Sequence, residues 1–207
     1  MKAAGIAGML ILACVIEAVS SPYQIQLGAG YRPQINTSNI DYPYLSSWEG
    51  FVDVPFFGLN ALKAIDGDWY GVVSYRYLHK VSGLSGGNEV TLDYHLFALG
   101  PYYRSPTTES RSFFINLSAL AGITYSSFEM DIAGVSDQLS RTGIALMGTL
   151  GFEKTIYRGF SLIAELNYNL IDPKVSGGIG NSQIPLETKL MISGLDIALA
   201  AGYEFDL

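Results

Sequence analysis

The 207-residue sequence contains little charge, one cysteine and two histidines. Only 15% of its residues are charged while 13% are aromatic, a composition that excludes a disordered chain. Its 12 basic and 19 acidic residues give a formal net charge of -7, so it lacks the basic surface of a nucleic-acid-binding protein. The single cysteine excludes an intrachain disulfide, and two histidines argue against a multi-histidine metal centre. We therefore expect neither a metal ion nor a cofactor.

The first twenty residues have the composition of a secretory signal peptide. A basic second residue precedes an uncharged apolar stretch at residues 3–15, and Ala18-Val19-Ser20 offers the small residues that a signal peptidase recognises. The apolar stretch is shorter than the roughly 20 residues that a membrane-spanning helix needs. We expect residues 1–20 to be a signal peptide and residues 21–207 to be one domain. Lipidation of Cys14, in a loose lipobox-like sequence, is the alternative for this segment.

The rest of the chain alternates between apolar residues and small or polar residues with a period of two, the pattern of half-buried β-strands. The segment from Phe113 to Tyr125 is the clearest, with Phe, Ile, Leu, Ala and Tyr on one face and mainly Asn, Ser, Gly and Thr on the other. Eight such segments predict eight strands. Long and short connections alternate between them, the long ones at residues 33–47, 79–89, 127–141 and 172–189, the short ones at 66–68, 105–111 and 157–159.

This arrangement is typical of an all-β, antiparallel, up-and-down transmembrane barrel, whose strands cross the membrane and whose short turns face the periplasm. Aromatic residues lie near the ends of the apolar faces, where Tyr and Trp prefer the boundary between membrane and water. We expect two membrane-interface girdles made of Tyr23, Tyr31, Trp48, Trp69, Tyr77, Tyr102, Phe113, Tyr125, Phe160, Tyr168 and Tyr203.

A soluble periplasmic lipid-binding barrel would alternate in the same way, with its apolar face turned inward. The second face of the predicted strands is rich in Gly, Ala, Ser and Asn, whereas a soluble exterior would carry more Lys and Glu. The pattern therefore favours the membrane barrel and leaves the soluble barrel as its alternative.

These features resemble the small eight-stranded bacterial outer-membrane proteins of the OmpX, OmpW and OmpA-barrel type. The most specific element is the final segment Ala201-Gly202-Tyr203-Glu204-Phe205, although Asp206-Leu207 follows it here. In that family the barrel assembly machinery reads a similar Gly-Tyr-x-Phe ending, so the resemblance implies an assembly signal at Gly202, Tyr203 and Phe205. It also implies a location in the bacterial outer membrane, in contact with its lipid.

Charged residues on the predicted inward face need partners inside the barrel. We expect a polar network in the lumen formed by Arg76, Asp93, His95, Glu153, Glu165 and Asp196. An eight-stranded interior is only wide enough for side chains to fill it, so a wide aqueous pore is not expected.

Two functions follow from the resemblance. An OmpW-like protein would be a narrow conduit for small apolar solutes, whereas an OmpX-like protein would be a structural or adhesive surface protein that binds a host ligand. An enzyme is not expected, because neither Asp93 with His95 nor His79 with Ser82 forms a convincing set of nucleophile, base and orienting group.

Overall fold

The computed structural model describes residues 22–38, 50–83, 87–107, 109–132, 135–171, 174–178, 185–191 and 193–205. Trp48 and the predicted signal peptide lie outside these ranges. The regular structure within them consists of ten strands. The strands are β1 Tyr23–Ser38, β2 Gly50–Asp66, β3 Trp69–Gly83, β4 Glu89–Pro106, β5 Phe113–Ile132, β6 Val135–Tyr157, β7 Phe160–Ile171, β8 Lys174–Gly178, β9 Pro185–Met191 and β10 Gly194–Phe205. No helix in the described ranges is long and apolar enough to cross a membrane.

Eight of the ten strands close into an antiparallel barrel. Strands β1 to β7 pair in chain order, and β10 pairs with both β7 and β1. Closure joins β1 to β10 from Tyr23↔Phe205 to Tyr31↔Ile197. The predicted eight-stranded antiparallel barrel is confirmed. The structure adds a hairpin of β8 and β9, which pairs with the end of β1 at Asn36–Ser38.

The prediction of a loop at residues 127–141 is wrong for most of that range. Strands β5 and β6 stay paired from Phe113↔Lys154 to Ile132↔Val135. They contain 20 and 23 residues, whereas about 10 tilted residues are enough to cross a membrane. Apolar alternation fades in this part of the hairpin because it extends beyond the membrane, although its ladder of hydrogen bonds continues.

The exterior of the barrel is apolar. Leu27, Leu99, Ile144 and Leu199 are 63%, 66%, 72% and 69% exposed. A continuous apolar exterior of this size is stable against lipid and unstable against water. The barrel is therefore an integral membrane barrel, and the soluble lipid-binding alternative is excluded.

Aromatic residues lie at both ends of this exterior. Trp69, Phe113, Phe160 and Tyr203 are exposed near the short turns, while Tyr31, Tyr125 and Tyr168 are exposed near the opposite end, where Tyr77 is partly exposed. Tyr23 shares the outer face but is covered by the Phe205 ring and the Lys63 ammonium. The assignment of Tyr102 to a girdle is wrong, because its side chain is buried in the lumen with its ring edge against Tyr70.

Strands β4 and β5 approach each other closely at Gly122. A Cβ atom at this position would lie 2.6 Å from Cα of Ala98 and would also collide with the carbonyl oxygen of Phe97. Backbone atoms in a closed barrel cannot move away without disturbing the ladder on both sides. The position therefore requires glycine.

We expect Gly122→Ala to lower the free energy of unfolding by about 1–3 kcal/mol, the usual cost of overpacking. The measurement is the temperature at which the folded, fast-migrating band on an unheated SDS gel converts to the unfolded band. Gly148→Ala is the control, since a Cβ atom there meets nothing within 4 Å. Equal losses in both variants would contradict the steric explanation.

Candidate functional site

Two clusters of charged and polar side chains span the lumen. The mid-lumen cluster consists of Arg32, Arg76, Glu165, Asn169 and Asp196, from β1, β3, β7 and β10. The inner-end cluster, nearer the short turns, consists of Gln24, Arg104, Asn116, Glu153 and Glu204, from β1, β4, β5, β6 and β10.

Asp196 is the centre of the mid-lumen cluster. Arg32 donates from Nε to Oδ1 at 2.5 Å and from Nη2 to Oδ2 at 2.8 Å. Asn169 donates to Oδ2 at 2.6 Å, and Arg76 reaches the same oxygen from Nη1 at 3.4 Å. Arg76 Nη2 also lies 3.8 Å from Oε2 of Glu165. All five side chains are buried, so the two positive and two negative charges balance each other away from water.

Glu153 is the centre of the inner-end cluster. Arg104 donates from Nη2 to Oε1 at 2.7 Å and from Nε to Oε2 at 3.0 Å, while Gln24 and Asn116 add bonds of 3.0 and 3.1 Å. Arg104 Nη1 also donates to Oε2 of Glu204 at 2.5 Å. The guanidinium lies 3.9 Å from the centre of the Phe114 ring. Side chains of β1, β4 and β5 therefore all donate hydrogen bonds to one carboxylate on β6.

The predicted lumen residues divide into two groups. Arg76, Glu153, Glu165 and Asp196 lie inside the barrel, and Arg76 contacts both Glu165 and Asp196. Two arginines that dominate the clusters, Arg32 and Arg104, were not predicted as members. Arg32 continues the period-two series of Gln24 and Gln26, so its sequence position did carry the signal.

The placement of Asp93 and His95 in the lumen is wrong, because both lie on the outer face of β4. The hydroxyl of Tyr77 donates to Oδ1 of Asp93 at 2.8 Å, and Nδ1 of His79 lies 2.9 Å from that oxygen. Tyr75 pairs through its hydroxyl with Nδ1 of His95 at 2.9 Å. These residues form a polar patch outside the barrel, away from both lumen clusters.

The sequence-based prediction assigned the two faces of β4 the wrong way round, because large apolar residues occur on both faces. Leu92, Leu96 and Tyr94 are buried in the lumen, while Phe97 and Leu99 face outward. Hydrophobic alternation distinguishes the two faces only where the interior is polar. In this part of the barrel the interior is apolar.

The outer half of the lumen is filled by apolar side chains. Phe51 of β2 and Phe128 of β5 come from strands that are not neighbours, and their rings meet edge to face across the lumen with centres 6.2 Å apart. Phe56 lies beneath them, with its ring centre 5.2 Å from the guanidinium of Arg76. Asp53, at a φ of 55°, interrupts the alternation so that both Phe51 and Val54 are buried inside. The other buried members are Ile35, Leu78, Val90, Leu92 and Met130.

The lumen is closed in the described part of the chain. Lining residues of a water-filled pore would be accessible to water, yet Phe51, Val90 and Leu92 show 0% exposure and Arg32 shows 2%. Four buried hydroxyl groups on the β3–β5 wall have no hydrogen-bond partner among the described residues, namely those of Ser74, Tyr94, Thr124 and Ser126. Such groups gain stability from a water molecule or a polar ligand atom.

The barrel wall is incomplete beside the mid-lumen cluster. The β1–β10 ladder ends at Tyr31↔Ile197, and β1 pairs again on this side only from Asn36, with β9. Among the described residues, 33–35 of β1 have no ladder partner on that side, and Pro33 has no N–H to donate. The side-chain pair of Arg32 and Asp196 connects the two strands here. We call this interruption the seam.

No group of three or more His, Cys, Asp or Glu side chains is placed to hold a metal ion within the ranges that the structure covers.

Comparison with known proteins shows similarity in structure. The sequence matches no protein-family model and no curated protein sequence. The structure is similar to the outer membrane protein OprG from Pseudomonas aeruginosa, with a TM-score of 0.64, 17% identity, and coverage of 91% of this chain and 97% of that chain. A major outer membrane protein from Thermus thermophilus gives a TM-score of 0.62, 11% identity, and coverage of 90% of this chain and 100% of that chain.

The structure is also similar to Ail, the attachment invasion locus protein of Yersinia pestis, with a TM-score of 0.56, 17% identity, and coverage of 90% of this chain and 100% of that chain. Ail has also been solved with the heparin analogue sucrose octasulfate. At these identities the likeness shows the fold. The chain therefore has the fold of the small bacterial outer-membrane barrels that its sequence resembles.

We expect Asp196→Asn to lower the free energy of unfolding by about 3–5 kcal/mol, because two buried guanidinium groups would then share one carboxylate. Urea unfolding in lipid vesicles, followed by tryptophan fluorescence, measures the loss. Glu204→Gln is the matched control: its side chain is 33% exposed, and we expect a loss of about 1 kcal/mol or less. A similar loss in both variants would show that the mid-lumen cluster has no special importance.

Proposed function

We propose that this barrel is a narrow conduit for small apolar solutes. The observation that carries the proposal is the apolar outer half of the lumen, which lies directly on the charged mid-lumen cluster. A barrel that only spans the membrane has no need for an apolar interior, since polar and small side chains also fill such a lumen. An apolar interior on the outer side offers a solute an environment similar to that of the membrane.

The two ionic clusters prevent an apolar solute from continuing straight through the barrel. Passage would separate Arg32 from Asp196 and Arg104 from Glu153, and removing one partner from a buried pair costs about 3–5 kcal/mol. The solute brings no polar groups that would replace the lost hydrogen bonds. We therefore infer that it does not leave through the inner end.

The seam offers the alternative exit. It lies at the height of the mid-lumen cluster, and no backbone ladder has to break there among the described residues. A solute leaving the apolar half at this level would enter the hydrocarbon of the membrane directly. Such a path needs side chains to move and no strand to unfold: Phe51 and Phe128 change rotamer, and the single Arg32–Asp196 pair across the seam separates and forms again.

A surface-interaction role is the second candidate, and the length of the β5–β6 hairpin favours it. The hairpin extends well beyond the membrane, where its exposed residues include Glu129 and Asp131. Glu89 of β4 is also exposed and lies directly opposite Asp131. Acidic groups here would repel a sulfated sugar of the kind seen with Ail, so a basic or neutral partner fits better.

The conduit is tested by closing the seam with a disulfide. Pro33→Cys with Leu195→Cys would introduce a removable bond across the seam into a chain whose own cysteine, Cys14, lies in the predicted signal peptide. We expect cells that make the oxidised variant to lose uptake of a small apolar dye, and a reducing agent to restore it. The control pair is Ala29→Cys with Leu199→Cys, which are cross-strand neighbours in the intact ladder. Unchanged uptake with the seam closed would exclude exit through the seam.

Shortening the hairpin distinguishes the second candidate. We expect deletion of residues 131–136, the outermost part of the hairpin, to leave dye uptake unchanged, because Phe128, Met130 and the other apolar residues of the outer lumen remain in place. If the protein is an adhesive surface protein, the same deletion abolishes binding of the purified protein to host cells or matrix. Binding that survives the deletion would exclude the hairpin as the contact surface.

A further inference from the structure

A groove of about 250 Å³ opens on the lipid-facing side of the barrel, across β5, β6, β7 and β10. Ala164 lies directly between Phe152 and Leu199 in the strand register, so its small side chain leaves a gap between two large ones. Phe113 and Leu162 line the end of the groove nearer the short turns. Because it opens into the apolar exterior, a hydrocarbon chain can fill it.

Lys154 lies at that end of the groove. It is the cross-strand neighbour of both Phe113 and Leu162, and its ammonium lies 4.8 Å from the centre of the Phe113 ring. Its side chain is exposed, and none of the salt bridges among the described residues involves it. A cation beside an apolar girdle, with no carboxylate partner, is most stable when the surroundings supply an anion.

We propose that Lys154 and the groove over Ala164 form a binding site for one anionic phospholipid of the inner leaflet. The ammonium pairs with the lipid phosphate at the height of the Phe113 and Phe160 girdle, and the start of one acyl chain fills the gap between Phe152 and Leu199. A lipid with a net negative headgroup is favoured over a zwitterionic one, since it brings no second cation close to Lys154. The site is on the outside of the barrel and is independent of the proposed conduit.

Lys63 provides a matched comparison. It is a second exterior lysine near the short turns, with its ammonium 5.6 Å from the centre of the Tyr23 ring. It lies on β2, on a different part of the barrel wall, and does not line the groove. The two lysines therefore share charge and an aromatic neighbour but differ in the gap for an acyl chain.

The test is native mass spectrometry of the detergent-solubilised protein with added phosphatidylglycerol or phosphatidylcholine. We expect one phosphatidylglycerol to remain bound at collision energies that remove phosphatidylcholine. Lys154→Gln should reduce its retention about fivefold, the effect of one basic residue on an anionic lipid. Ala164→Leu, which fills the gap and keeps the charge, should reduce retention to a similar extent, and Lys63→Gln should leave it unchanged.

Three results would overturn the proposal. Equal retention of the two lipids would show that no anion is selected. Equal losses for Lys63→Gln and Lys154→Gln would show diffuse attraction of lipid to any exterior lysine. Full retention in Ala164→Leu would show that the groove holds no acyl chain. An unheated SDS gel of each variant confirms that the barrel is folded before the lipid is added.

Discussion

The requirement that every backbone N–H and C=O in the membrane finds a partner within the protein determines the rest of this structure. Strands meet that requirement only if the sheet closes, and here β10 closes it against β1. Closure of eight strands leaves an interior that side chains fill. Arg76 and Glu153 must therefore find partners across the lumen, since water cannot solvate them there.

The ionic clusters also complete the wall. At the seam, Arg32 and Asp196 connect two strands that have no ladder pairs at that level among the described residues. Two hydrogen bonds from one guanidinium hold the strands there in place of the backbone. Side chains can separate and pair again without unfolding a strand, which a backbone ladder cannot do. The same pair therefore connects the stability of the barrel to the path that we propose for solutes.

Period-two alternation was sufficient to predict the closed barrel, because one face of most strands is continuously apolar. It failed on β4, where Leu92 and Leu96 inside compete with Phe97 and Leu99 outside, and this error placed Asp93 and His95 in the lumen. Arg104 was not predicted as a lumen residue because it lies on the face of β4 that the prediction had turned outward. The seam has no periodic signal, since the loss of a ladder partner leaves no mark on the sequence beyond Pro33. Pairing across the lumen depends on strand tilt and register, which alternation alone does not contain.

The facing of Glu89 and Asp131 on neighbouring strands makes the outermost part of the barrel sensitive to dissolved ions. Two like charges directly opposite each other destabilise a strand pair, and counter-ions within a Debye length weaken that repulsion. Low ionic strength would therefore weaken the pairing of β4 with β5 at this end, and physiological salt would strengthen it. The contact of the projecting hairpin with β4 thus responds to the ionic strength outside the cell, while the β5–β6 ladder and the lumen clusters, shielded from the same ions, keep the barrel unchanged.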